Sequence, residues 1–115
     1  MTIPQKLHDL ERFHHIIEAI ELIEEYAKNG IKTGDSLTTD AIFYRLQIIG
    51  EAAKHISDSY KERFSDIPWR KIIAMRNYLV HEYFAIHNNK IMIAIADIPR
   101  IKERIQYIIR EIEND

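Results

Sequence analysis

The chain has 115 residues, 46% of them hydrophobic and 30% charged, with a net charge of −2. That composition supplies an ordinary core and excludes a disordered chain, while the small net charge gives no global attraction to nucleic acid. There is no cysteine, which excludes disulfides and thiolate chemistry and suits a reducing compartment.

The start, Met1-Thr-Ile-Pro-Gln-Lys6, lacks a basic region followed by an apolar run, so no signal peptide is expected. No apolar stretch is long enough to span a bilayer. The expectation is one cytoplasmic domain over residues 1–115. A first helix is predicted from Gln5 to Lys28, with Pro4 tolerated in its first turn. Leu7, Leu10, Phe13, Ile17, Ile20, Ile23 and Ala27 would be its buried stripe, and Glu18, Glu21, Glu24 and Glu25 its solvated face. Asn29-Gly30 is a stop signal, and Gly34-Asp35-Ser36 is turn chemistry.

Helix two is predicted from Thr38-Thr39-Asp40, which offer N-cap oxygens, to Ser57. Ile42, Leu46, Ile49, Ala53 and Ile56 repeat at 4, 3, 4, 3. Phe43, Ile48 and Ala52 lie off that seam, so this helix is central. Gly50-Glu51-Ala52-Ala53 is a small-residue patch that lets another helix approach. Glu51 beside it is a candidate buried carboxylate, with Arg76 as its candidate partner.

Residues 58–67 read as an irregular connector with a short turn of helix. Ser65 or Asp66 would cap a third helix from Pro68 to Tyr83. Residues 85–89 read as a loop. A fourth helix runs from Asn89 to Ile112, and Pro99 should kink it or split it, with Asp97 capping the second part. Short connections and no strand-like alternation give an all-α fold, an antiparallel bundle of four to five helices.

The third helix breaks its own pattern. Ile72, Met75, Leu79 and Tyr83 mark one face, and Arg76 falls near its middle. A cation there costs free energy unless it is paired or hydrogen-bonded. Asn77 and His81 share a second face. Arg76 and His81 are five apart, about 140° around a regular helix. Either the helix loosens before His81, or a second copy of the chain supplies the other residue. The six histidines are scattered without metal-ligand spacing, and three glycines leave little for a phosphate loop. No metal and no cofactor is expected.

From spacing alone, Arg76 in a salt bridge with a His and a Tyr at a helix end is the better reading, because charge networks in bundles look the same. The alternative is phosphodiester chemistry. A histidine both takes and gives a proton near neutral pH. An arginine fork matches phosphate oxygens and stabilises charge built up in the transition state.

Arg76-Asn-Tyr-Leu-Val-His81 resembles the Arg-(Asn/Asp/His)-x-x-x-His motif of HEPN domains. With Tyr83 it is similar to the Arg-x4-His-x-Tyr signature of HepT-like toxins of the HEPN–MNT toxin–antitoxin systems. The resemblance extends to Ile49-Gly-Glu-Ala-Ala53, Ile67-Pro-Trp69 and Ile98-Pro99. It implies a helical bundle that pairs into a homodimer, with both motifs facing one cleft. It implies a metal-independent endoribonuclease acting on mRNA or tRNA, with Arg76 and His81 catalytic and Asn77 in support. It implies a nucleotidyltransferase antitoxin as partner, which transfers AMP to Tyr83. Two other readings stay open. One is a HEPN dimer that holds nucleotide or RNA, or docks its nucleotidyltransferase, without cleaving. The other is a purely structural dimer, with Arg76 buried against a carboxylate such as Glu51 and no cleft at the motif.

Overall fold

The computed structural model describes residues 1–28, 36–81 and 95–115; for Ser36 and His81 the description is of the backbone alone. All five elements among the described residues are helices: α1 (Ile3–Ala27), α2 (Ser36–Lys54), α3 (Asp58–Arg63), α4 (Trp69–His81) and α5 (Ile98–Glu113). The predicted turn at 29–35 and the loop and helix start at 85–94 lie outside the described residues.

α1 begins two residues earlier than its periodicity indicates, because Thr2 caps it. The Thr2 hydroxyl accepts from the Gln5 N–H at 3.2 Å, and Pro4 sits in the first turn, where no amide proton is needed. Its buried side is Asp9, Phe13, Ile16, Ala19, Ile20 and Ile23. Leu7, expected inside, is 60% exposed, and Leu10, Ile17 and Ala27 are only partly buried. The cause is polar. Asp9 is 1% exposed; one carboxylate oxygen accepts the Ser57 N–H at 2.8 Å, and the other accepts the Ser57 hydroxyl at 2.7 Å. Turning Asp9 inward turns Leu7 out. Glu24, expected on the solvated face, instead accepts from Lys102 at 2.8 Å.

α2 follows its predicted seam closely. Ile42, Leu46, Ile49, Ala53 and Ile56 are all buried, with Phe43 and Ile48 packed on the core from the sides. The helix starts at Ser36 rather than at Thr38–Asp40, so those three lie inside it, and it stops at Lys54. It packs against α1 on one side and α4 on the other, which makes it central as expected.

Ser57, expected at the end of α2, is the N-cap of α3. Asp66 does not cap α4. Its carboxylate takes the Arg104 guanidinium at 2.5 and 3.0 Å, tying α5 to the connector. The Pro68 carbonyl accepts the Ile72 N–H at 3.0 Å instead. Asp97 does mark a break: Ile95 and Ala96 are helical, Asp97 is a turn, and α5 follows with Pro99 in its first turn. Its side chain makes no capping bond, however. Its φ of −85° and ψ of −11° are helical, whereas a capping residue needs extended backbone to reach forward.

α1 runs antiparallel to α5 and to α2. Along α1, Lys6, His14 and Glu24 meet Asp115, Glu113 and Lys102, a falling series along α5 and the residues just after it. Gln5 and Asp9 at the start of α1 meet Ser57 just past the end of α2. Phe13 anchors the base of the core, edge-on to Tyr60 and Trp69 at 6.3 and 6.1 Å. The Trp69 indole N–H, which would be costly unpaired, donates to the Phe64 carbonyl at 3.1 Å.

One glycine decides how close α4 comes to α2. A Cβ on Gly50 would overlap the Arg76 Cβ and lie 3.0 Å from its Cγ and 3.1 Å from the Ile72 carbonyl oxygen. Gly50→Ala should therefore destabilise the fold by about 1–3 kcal/mol through overpacking. Asp9→Ala should cost a similar amount, about 1–3 kcal/mol, by leaving the half-buried Ser57 donors without their acceptor. Urea denaturation of each variant against wild type measures both, and a loss of no more than a few tenths would show that the contact does not carry this load.

Candidate active site

α4 has thirteen residues and no carboxylate, and it carries the cations Arg70, Lys71 and Arg76. Trp69 and Leu79 are buried; Ile72, Ile73, Met75 and Tyr78 pack on the core from its edge. Arg70, Lys71, Ala74 and Asn77 are exposed. Arg76 stands between the two faces, with its side chain 23% exposed. Its aliphatic stem lies against the bare backbone of Gly50, and its charged head reaches the rim, as long cationic side chains do over apolar surface.

Three polar side chains meet around that head. Arg76 Nε sits 3.0 Å from Glu51 Oε2, and Arg76 Nη1 donates to Asn77 Oδ1 at 3.0 Å. The other Glu51 oxygen, Oε1, lies 3.1 Å from His55 Nε2. Glu51 Oε2 and Arg76 Nε are both enclosed atoms, yet the N–H is not aimed at the oxygen. Their contact is an ion pair, not a directed hydrogen bond. The His55 hydrogen bond and, next to it, the Arg76 charge hold the Glu51 carboxyl below its ordinary range against the opposing effect of desolvation.

The Glu51–Arg76 pairing expected from the small-residue patch is present, but Glu51 is not the buried carboxylate expected. Its side chain is 42% exposed. His55 is a site residue that the sequence reading misses, although its i+4 relation to Glu51 on one helix face is there to be read.

α4 continues as an α-helix to His81. The helix therefore does not loosen before His81, and the separation of about 140° from Arg76 stands, with an added rise of about 7.5 Å. Asn77 and His81 lie on one face by their i, i+4 spacing. The His81 side chain and all of Tyr83 lie outside the described residues, so Arg76, Asn77 and Glu51 are the predicted site residues that come together.

On the other side of α4 there is a mainly apolar cavity of about 250 Å³, reached by Leu46, Ile49, Ile72, Met75 and Ile98, with Lys71 and Asp97 as polar neighbours. It does not include Arg76 or Asn77. Among the described residues, no three His, Asp or Glu side chains gather as metal ligands would, and no helix is long and apolar enough to cross a membrane.

Because the Glu51 carboxyl is lowered in the folded state, its contribution to stability is fully present above the ordinary glutamate range. It is lost as pH falls through the lowered value. Glu51→Gln should therefore flatten the acid side of the stability profile. Denaturation midpoints measured between about pH 6 and pH 3 test this; parallel acid limbs for both proteins would count against it.

Residues 16–108 match the family model described as "Ribonuclease HepT-like". A protein of Methanocaldococcus jannaschii named "Gamma-glutamylcyclotransferase and putative RNase MJ0434" is 38% identical over 108 residues. That match covers 89% of this chain but 48% of the relative, so the chain spans about half of that protein's length. "Probable ribonuclease HepT" of Thermococcus cleftensis is 37% identical, with 79% of this chain and 86% of the relative covered. "Putative RNase TTE0752" of Caldanaerobacter subterraneus is 32% identical, with 94% of each covered. No solved structure matches the chain significantly. The family match takes in α2, α3 and α4 whole, with Gly50, Glu51, Arg76 and Asn77 inside it, and the chain belongs to the HepT-like ribonuclease family.

Proposed function

We propose that this protein is a metal-independent endoribonuclease and the toxin of a toxin–antitoxin pair. Arg76 and His81 are its catalytic residues, and Asn77 supports them. The observation that carries the reading is the seat of Arg76 in a chain of this family. Its stem is fixed on Gly50, its Nε edge faces Glu51, and its head remains at the surface beside the exposed Asn77. A guanidinium has five N–H donors; Asn77 Oδ1 accepts from Nη1, and Glu51 pairs with the Nε edge by charge alone. The remainder suits a phosphate.

In the proposed reaction His81 takes the proton of a ribose 2′-hydroxyl. The 2′-oxygen attacks the adjacent phosphorus, the 5′-oxygen leaves with the proton that the His81 imidazolium gives back, and a cyclic phosphate remains. Arg76 stabilises the charge on the pentavalent phosphorus. The positions of Arg76 and His81 lie about 140° apart around an unbroken helix, so the reading includes a homodimer in which two copies of α4 flank one cleft. It also includes a nucleotidyltransferase antitoxin that attaches AMP to Tyr83. The added phosphate would place negative charge near Arg76 and compete for the RNA site.

The Glu51 contact is what the purely structural reading asks for. That reading needs the pair buried, and both partners reach solvent. The relatives named as RNases favour the catalytic reading.

Purified protein freed of any antitoxin should degrade RNA in the presence of EDTA. His81→Ala and Arg76→Ala, still folded, should each lose at least about 100-fold in rate. Wild-type protein that leaves RNA intact and does not arrest growth would hand the case to the non-catalytic HEPN dimer. Incubation with the partner nucleotidyltransferase and ATP should add the mass of AMP to wild type and not to Tyr83→Phe.

A second test concerns affinity. Arg70 and Lys71 extend the exposed, carboxylate-free face of α4. For a non-cleavable RNA, Arg70→Gln or Lys71→Gln should reduce the slope of log affinity against log salt by about 0.7 for each phosphate that the variant no longer neutralises. An unchanged slope would remove that face from the RNA path.

A further inference from the structure

The outermost group in the Arg76 cluster is one the proposed chemistry does not use. His55 follows the last residue of α2, four residues after Glu51, with its side chain 49% exposed. Its Nε2 lies 3.1 Å from Glu51 Oε1, while Glu51 Oε2 lies 3.0 Å from Arg76 Nε. One carboxylate thus has an imidazole on one oxygen and a guanidinium on the other.

The arrangement addresses a physical weakness. Arginine is a long side chain, and a group that meets a transition state must be held to a fraction of an ångström. A half-exposed glutamate is a poor holder, because exposed ion pairs gain little against the entropy of two flexible side chains. A second contact on the carboxylate removes part of that freedom before Arg76 is engaged. The stem and the far edge are fixed separately, by Gly50 and by Asn77 Oδ1. Enclosure of Glu51 Oε2 and Arg76 Nε shields their attraction from water at the one place it is needed. The other charge acting on Glu51 is Lys54, on the same helix.

We propose that His55 and Glu51 form a positioning relay for Arg76. His55 orients the Glu51 carboxylate, and Glu51 holds the Nε edge of Arg76 so that its Nη edge meets the scissile phosphate. The last step rests on the reading of Arg76 as catalytic; the holding of Arg76 does not. Neither Glu51 nor His55 touches the reacting atoms.

The test reads the two parts separately. The Nε–H resonance of Arg76, assigned by its disappearance in Arg76→Lys, reports how firmly the guanidinium is held. RNA cleavage reports what the holding does. His55→Ala and Glu51→Ala should both move and broaden that resonance toward the position of solvent-exposed arginines. Each should lower kcat about tenfold, the scale of losses when a supporting partner is removed, with KM within about twofold of wild type. His55→Gln should restore both readouts, because its amide can donate to Glu51 from a similar place.

An Arg76 resonance unmoved by His55→Ala would overturn the relay. So would a resonance that moves while kcat stays at the wild-type value, or a glutamine variant that rescues neither. If the resonance follows the expected pattern but wild-type protein cleaves no RNA, the relay stands as the holder of Arg76 and the ribonuclease reading fails.

Discussion

The contact between the Gly50 backbone and the Arg76 stem sets the position of α4, and most of what the molecule presents follows from it. Any side chain at Gly50 would overlap Arg76, so the two helices meet at a distance only a bare backbone permits. That closeness puts the guanidinium level with Glu51, one residue further along α2. It also fixes the rotation of α4. With Arg76 at the seam, Ile72, Met75 and Leu79 turn toward the core, and Arg70, Ala74 and Asn77 turn toward solvent. The exposed and carboxylate-free face of α4 is therefore a consequence of how α4 docks on α2.

α2 can serve as that platform because it is held from behind. Its Ile42, Leu46, Ile49, Ala53 and Ile56 are buried in one core with Phe13, Ile16, Ile20 and Ile23 of α1. The polar contacts that close the bundle are unequal. Arg63–Asp115, Lys102–Glu24 and Arg104–Asp66 close the bundle at the surface, where such pairs contribute little. Asp9 is different, because it is buried and satisfies two donors of Ser57 where α3 begins. Losing it leaves those half-buried donors without their acceptor, which costs more than losing a rim pair. The chain thus has one buried polar joint at the α1–α3 end and one half-exposed polar cluster at the α2–α4 seam.

The sequence is most legible where burial is decided by apolar periodicity alone. The α2 seam is that case, and all five of its residues are inside. α1 departs from expectation because two stripes compete. Counting apolar residues groups Leu7, Leu10 and Ile17 with Phe13, Ile20 and Ile23, while the chain buries Asp9 and Ile16 beside those last three, and only the distant Ser57 makes a buried aspartate acceptable. Asp66 and Asp97 look like caps by local rules, yet Asp66 is taken by Arg104 and Asp97 sits in helical backbone. In each miss a partner far along the chain, or the path by which the chain arrives, overrides a preference read over four residues. The Arg76–Glu51 pair is legible because a cation in an apolar stripe demands a partner and a small-residue patch says where a helix can approach. His55 gives no such signal, because a surface i, i+4 pair is ordinary until its other partner is known.

The unbroken course of α4 has a consequence for the proposed pairing of Arg76 with His81. Were the helix to open before His81, Arg76 and His81 could turn toward one phosphate within a single chain. It does not open, so the two remain about 140° apart and about 7.5 Å offset along the axis. Arg76 is committed to the α2 side, where Gly50, Glu51 and Asn77 restrict it. Swinging it round the helix to meet His81 would break all three contacts. In the proposed reaction the phosphate takes the two residues from two helices, and a second copy of α4 is the source that requires no other protein. The close packing that fixes Arg76 on α2 is thus the constraint that the proposed homodimer answers.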